Sequence, residues 1–183
     1  MRMCGKLIIA LALLAVLSWN IYHAQLTQRL MFPYPYKETV ETYAAQYGLD
    51  PLLGIAVMRE ESRFRPRTES RQGATGLMQL MPETARWIAG QMKDADYSEE
   101  HMFSPEKNIQ YGMWYLKDLN TEFQGNIILV LAAYNGGRGH VREWLNNQQI
   151  DADNTRIQDI PFRETREYVG KVLRSYAKYR DLY

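Results

Sequence analysis

This sequence predicts a mainly helical domain behind an N-terminal hydrophobic segment. Three observations carry that reading. Helix-start signals recur: Asp50-Pro51 and Ser104-Pro105-Glu106 each place a capping side chain before a proline at the first helical position. Apolar residues return at helical spacing, as in Ile109, Met113 and Leu116. Strand signals are weak, so any sheet is small.

The elements follow in order. Leu7 to Leu17 is an unbroken apolar run behind Arg2 and Lys6. A positive start and a short apolar centre suit a cleavable signal peptide, but Tyr22 sits where a cleavage site before Gln25 wants a small residue. A membrane span wants about 20 apolar residues, and the run is short for one, although Trp19 and Tyr22 suit the interface. We expect residues 1–24 to be an uncleaved single-pass anchor, with a cleaved signal as the alternative and a buried core helix as the bland reading. Basic residues on the short N-terminal side put that end inside and the domain outside the cytoplasm. Residues 25–36 read as a linker, stiffened by Pro33 and Pro35, and residues 37–183 as the folded domain.

Within that domain Lys37 to Tyr47 reads as a helix stopped by Gly48, and Pro51 to about Glu61 as the next. Pro82 to Ala89 is expected to close at Gly90, and Asn126 to cap an apolar helix from Ile127 to Tyr134. Val141 to Leu145 is short. After Pro161 a long amphipathic helix runs to about Tyr179, with Tyr168, Val169, Val172, Leu173 and Tyr176 as its buried stripe.

Bulk properties remove several function classes. The chain has 183 residues, 46% of them hydrophobic, and a net charge of +1, so no basic surplus points to nucleic acid. A lone cysteine, Cys4, allows no internal disulfide. His23, His101 and His140 lack metal-site spacing, and no phosphate loop or dinucleotide fingerprint occurs, so no metal or cofactor is implied.

The informative stretch is Glu61-Ser62-Arg63-Phe64-Arg65-Pro66, followed by Ser70 and then Gly73-Ala74-Thr75-Gly76-Leu77-Met78-Gln79-Leu80-Met81-Pro82. A carboxylate ends a helix, a glycine-broken loop follows, and a polar residue interrupts an apolar run. One buried acid can cleave a glycosidic bond, because burial raises its pKa until it holds a proton near neutral pH. The apolar helix Leu52 to Met58 supplies a wall for Glu61, and Gly54 leaves room beside it. Glu60 is the rival, and periodicity cannot choose between them, because this helix is apolar nearly all round. Glu69, Glu83 and Glu164 are candidates for a second carboxylate. The bland reading leaves both helix-end glutamates in solvent.

The ordered motifs resemble the Slt-type lytic transglycosylases of glycoside hydrolase family 23, which cut the glycan strands of bacterial peptidoglycan. Two further stretches carry the resemblance: Ala132-Ala133-Tyr134-Asn135-Gly136-Gly137 and Ile160-Pro161-Phe162-Arg163-Glu164-Thr165-Arg166-Glu167-Tyr168-Val169. The resemblance implies a lysozyme-like fold, mainly α with a small irregular or β element beside the cleft. It assigns the catalytic role to Glu61, which directly precedes the serine of the first motif. Ser70, Gln79, Met81, Tyr134, Asn135 and Glu164 are implied substrate-binding residues, with the Tyr134 hydroxyl near Glu61 or the sugar and Glu164 paired with the second motif. Expected partners are peptidoglycan strands and, through the N-terminal segment, the membrane; the domain is expected to be a monomer. A goose-type lysozyme that adds water, or an inactive glycan-binding scaffold, are the alternatives.

Overall fold

Four of the described helices begin where a side-chain acceptor or a proline relieves the free N–H groups of the first turn, and three end on a residue in the left-handed region. The structure, a computed structural model, describes residues 2–183, and the side chains of all of these except 2–10, 12, 21, 24 and 25. Helix α1 spans Arg2–Met31, so residues 25–31 of the stretch read as linker are helical and only 32–36 are irregular. Helix α2 (Lys37–Tyr47) ends on Gly48 at φ 67°. Helix α3 (Pro51–Ser62) starts on Asp50, whose carboxylate accepts the Leu52 N–H at 2.8 Å.

Helix α4 runs from Pro82 to Met92, past the expected stop. Gly90 stays helical, and Lys93 takes the left-handed cap instead at φ 56°. A 3-10 turn, Glu99–Phe103, leads into α5 (Pro105–Glu122). The Ser104 hydroxyl makes no capping bond there; its backbone carbonyl accepts the Asn108 N–H at 3.0 Å. Helix α6 (Ile127–Gly136) is capped by Asn126, which accepts from the N–H groups of Ile128 and Leu129 at 3.1 and 3.3 Å. Helix α7 (Arg138–Asn146) and α8 (Arg163–Leu182) complete the chain. In α8 Tyr168, Val169 and Val172 are buried as expected, whereas Leu173 and Tyr176 are half-buried, and Ser175 and Tyr179 complete the inner face.

Helix α3 packs on α8 and on α2, α5 lies against α2, and α6 joins α5 to α7 and α8. That enclosure explains the missing periodicity of α3: Ile55, Ala56, Val57 and Met58 are all buried on successive faces. Gly54 permits close packing of a different kind from the one expected. A Cβ there would lie 2.5 Å from Met113 Sδ, so the glycine lets α5 approach α3 and does not open space beside Glu61. The β content among the described residues is two isolated bridges, Glu69 with Thr75 and Thr75 with Leu80.

Among the described residues no helix is long and apolar enough to cross a membrane. The anchor expectation rests on the run from Leu7 to Leu17 behind Arg2 and Lys6, and of these the side chains of residues 2–10 and 12 lie outside the described residues.

Candidate active site

The end of α3 decides which glutamate enters a cleft. Consecutive helical residues are turned about 100° apart, so Glu60 and Glu61 must face different surroundings. Glu60 points toward α8, where the Ser175 hydroxyl donates to its Oε1 at 2.6 Å and the Arg59 guanidinium lies 3.8 Å away. Glu61 enters a cleft of about 700 Å³. All the site residues expected from the sequence line that one cleft: Ser70, Gln79, Met81, Tyr134, Asn135 and Glu164 join Glu61 there. Glu69 and Glu83 do not; both are exposed elsewhere.

Three parts of the chain build the walls. The loop after α3 leaves the helix through two non-glycine residues in the left-handed region, Arg63 at φ 51° and Phe64 at φ 64°. The loop is then pinned from below by Asn108 of α5, which is fully buried. Asn108 accepts the Met78 N–H at 2.7 Å and donates to the Thr75 and Met102 carbonyls at 3.0 and 2.9 Å. Gly76, at φ 81°, is required here, since a Cβ would fall 2.2 Å from the Asn108 amide. Met78 is buried under this loop, whereas Met81 is exposed and lines the cleft. The resemblance names Met81 alone of the two, and it is the one that the bent loop turns into the cleft.

Polar residues of the loop are partly spoken for. Gln79 donates through Nε2 to the Thr68 and Gly76 carbonyls at 3.0 and 2.9 Å. Ser70 Oγ accepts the Ala74 N–H at 3.0 Å, leaving its own proton to donate. Both side chains therefore hold the loop's shape while lining the cleft.

The second wall is the end of α6, which presents Tyr134 and Asn135. The Tyr134 hydroxyl lies close enough to Glu61 to feel its charge, as expected, but its hydrogen bond goes elsewhere. The Tyr134 hydroxyl donates to the Met78 carbonyl at 2.7 Å and so ties α6 to the loop. The hydroxyl that reaches Glu61 belongs to Tyr168 of α8, at 2.7 Å from Oε1. Sequence reading had placed Tyr168 in the apolar stripe. The available signal was its hydroxyl, which on a buried face needs a partner. Glu164, at the start of α8, lines the cleft beside Asn135 but is exposed and forms no ion pair among the described residues.

Electrostatics set Glu61 apart. Burial pushes its carboxyl up from the ordinary 4.5 to about 7, with a smaller push from the Glu60 charge. The Tyr168 hydroxyl pulls the other way, because it stabilises the anion. No cation forms an ion pair with Glu61 among the described residues. Burial beside this carboxylate in turn raises the Tyr134 and Tyr168 hydroxyls well above 10, so both remain donors. At neutral pH the cleft holds one carboxyl that can give up or accept a proton. Among the described residues no group of three or more His, Cys, Asp or Glu is placed to hold a metal ion.

With this geometry, the chain can be set beside known proteins. The model of the transglycosylase SLT domain matches residues 38–157, well over half of the chain. The chain belongs to that family. The SLT domain here is 39% identical over 152 residues to the soluble lytic murein transglycosylases of Salmonella typhimurium and Escherichia coli, covering 81% of this chain and 23% of each relative. A putative soluble lytic murein transglycosylase of Haemophilus influenzae is 34% identical over 146 residues, 79% of this chain and 24% of the relative. Among solved structures, the 70-kDa soluble lytic transglycosylase of Escherichia coli is similar with a TM-score of 0.77 and 37% identity, over 84% of this chain and 25% of that one. An inactive glutamate-to-glutamine mutant of the lytic transglycosylase Slt from Pseudomonas aeruginosa gives 0.74 and 36%, over 84% and 25%. This SLT domain chain thus spans about a quarter of the length of the relatives it matches. The mainly helical fold expected from the sequence is the fold of these neighbours.

Proposed function

We propose that this protein is a peptidoglycan lytic transglycosylase, cleaving the β-1,4 bond between N-acetylmuramic acid and N-acetylglucosamine without water. One observation supports it most: a cleft carboxyl held near neutral pKa by burial, with a tyrosine hydroxyl as its fixed neighbour. Family membership adds weight, and so does the inactivity of a relative carrying a glutamate-to-glutamine change.

The protein's part in the reaction is a proton carried both ways. Glu61 starts protonated and gives its proton to the glycosidic oxygen as that bond breaks. The resulting carboxylate, steadied by the Tyr168 hydroxyl, takes the proton of the muramic carbon-6 hydroxyl. That oxygen bonds to the anomeric carbon and closes a 1,6-anhydro ring, so the carboxyl ends as it began. The substrate's own N-acetyl group stabilises the developing positive charge, so no second protein carboxylate is required. The exposed Glu164, at the solvent edge of the cleft, fits this. Ser70, Gln79, Asn135 and Met81 supply polar edges and an apolar face for the sugar rings.

Mass spectrometry of muropeptides released from cell-wall sacculi by the full chain tests this directly. Anhydromuramic ends, lighter by one water than hydrolysed ends, are the expected product. Hydrolysed ends would instead make the protein a goose-type lysozyme, and binding without release would make it a scaffold. The N-terminal segment belongs to the same proposal. Its apolar run behind Arg2 and Lys6 supports a single-pass anchor with the domain outside the cytoplasm. A mature N-terminus near Gln25 would remove the anchor. Light scattering of the purified chain tests the monomer.

A further inference from the structure

Arg138 lines no wall of the cleft, yet two carboxylates and two aromatic rings hold it. It is the first residue of α7, directly after Gly137, whose φ of 91° turns the chain out of α6. Its Nε donates to Glu122 Oε2 at 2.8 Å, and its Nη2 donates to Asp118 Oδ2 at 2.7 Å and again to Glu122. Asp118 and Glu122 lie one turn apart on α5. Arg142, one turn along α7, donates to the other oxygen of Glu122. The Arg138 guanidinium also lies 4.9 Å from the centre of the Trp87 ring on α4 and 5.9 Å from that of Tyr115 on α5. A forked, planar cation fits carboxylates at its edge and rings at its face together, which an ammonium does not.

This clamp reaches the cleft through one ring. Tyr115 is buried and packs against Tyr134, with ring centres 5.5 Å apart, and Trp87 packs on Tyr115 at 6.3 Å. Tyr134 has a choice of acceptors. Its hydroxyl donates to the Met78 carbonyl at 2.7 Å, and it lies close enough to Glu61 to feel that charge. Glu61 Oε1 takes the Tyr168 hydroxyl, while its second oxygen accepts no hydrogen bond among the described residues. An ionised carboxylate is a stronger acceptor than a carbonyl. The bond observed is therefore to the weaker of two neighbours, and the packing of Tyr115 behind the ring accounts for it.

We infer that Arg138 is a positioning residue for the proton donor: by clamping Tyr115 against Tyr134 it keeps the Tyr134 hydroxyl on the Met78 carbonyl and off Glu61. The consequence rests on the proposed function and deepens it. A second hydroxyl on the carboxylate would favour the anion and deprive the cleft of its acid. The other groups facing Glu61 are Glu60 beside it on α3, and Tyr168, Glu164 and Arg163 of α8, the last tied to Glu167. The loop offers the uncharged Ser70, Gln72 and Gln79, and α2 adds no residue to the cleft.

Isotope-edited NMR titration of the Glu61 carboxyl in the full chain tests this with no substrate present, its signal assigned by its loss in Glu61→Gln. The midpoint in the unaltered protein is expected at about 7. Arg138→Met should lower it by about one pH unit, the size of one added hydrogen bond to a charged group. The sign is diagnostic, because removing a cation that acted on Glu61 directly would raise the midpoint. In a Tyr134→Phe background the same substitution should move nothing, since no hydroxyl is left to turn. Arg138→Lys keeps the charge without the fork and should lower the midpoint in the same direction; it carries the test if the methionine variant folds poorly. A midpoint that stays or rises, or falls equally with and without the Tyr134 hydroxyl, would overturn the proposal. On peptidoglycan strands the Arg138→Met rate at pH 7 should fall about fivefold and recover toward the wild-type rate at pH 5. A fall of equal size at both would mark a purely structural role and overturn it too. Failure of the unaltered protein to cleave strands would remove the proposed function and leave the titration to decide this inference.

Discussion

Glu61 and Asp94 each accept a hydrogen bond from an inward-facing tyrosine, and they end on opposite sides of the ordinary carboxylate range. Tyr168 donates to Glu61 at 2.7 Å, and Tyr111 donates to Asp94 at 2.8 Å. Asp94 also holds the Lys107 ammonium at 2.7 Å, and its pKa is lowered, first by that bond and then by the tyrosine. Glu61 has no such cation among the described residues, and burial raises it to about 7. The tyrosine alone therefore does not fix the charge state; the presence of a cation and exposure to water decide it. One arrangement gives a charged tie between the turn after α4 and α5. The other gives a group able to exchange a proton at neutral pH.

The largest expected effect comes from removing the titratable side. Glu61→Gln should lower the rate of strand cleavage by about 10³ or more while leaving the fold intact, since the general acid is lost. Its stability should carry the opposite sign. The folded carboxyl holds its proton up to about 7, whereas the unfolded one releases it near 4.5. Wild-type stability is therefore lost as pH rises between those values, by up to about 3 kcal/mol. Denaturant melts at pH 8 should find the glutamine variant at least as stable as the wild type, with that advantage gone by pH 4. A wild type whose stability is flat between pH 4 and 8 would refute the raised pKa.

Tyr168→Phe comes next. It removes the bond that favours the anion, so activity should fall about tenfold. The alkaline limb of the pH–rate profile should move above its wild-type position near 7, because burial is then less opposed. A merely structural tyrosine would lower activity without moving that limb. The smallest effect should follow Lys107→Met, which strips Asp94 of its cation. A loss of up to about 1 kcal/mol at neutral pH is expected, with cleavage unchanged, because the pair is partly solvated. In the wild type that contribution is present above the ordinary Asp pKa of 3.8 and fades as pH falls through the lowered value. Lost activity in this variant would show that the two carboxylates are not independent.

Local chemistry was legible in the residues. Asp50-Pro51, Asn126 and Gly48 mark helix ends because the groups they satisfy lie within a few positions along the chain. Gly90 misled, because a glycine left-handed cap is a preference, and Lys93 took that role three steps later. The motif order drew Glu61, Ser70, Gln79, Met81, Tyr134, Asn135 and Glu164 together, and all of them line one cleft. The role of each hydroxyl was not legible. Tyr168, expected only in the apolar stripe, bonds Glu61, and Tyr134 bonds the Met78 carbonyl, since which ring reaches Glu61 depends on how α6 and α8 lean on α3.

By itself the sequence determined the helices, the loop that needs Gly76, and the carboxylate offered to a cleft, because caps, sterics and side-chain identity act over short range. Tertiary structure turned Glu60 toward α8 and Glu61 into the cleft, and joined Tyr168 to a carboxylate 107 residues away. Those outcomes rest on burial and on contacts between distant segments, and only the packed chain supplies either.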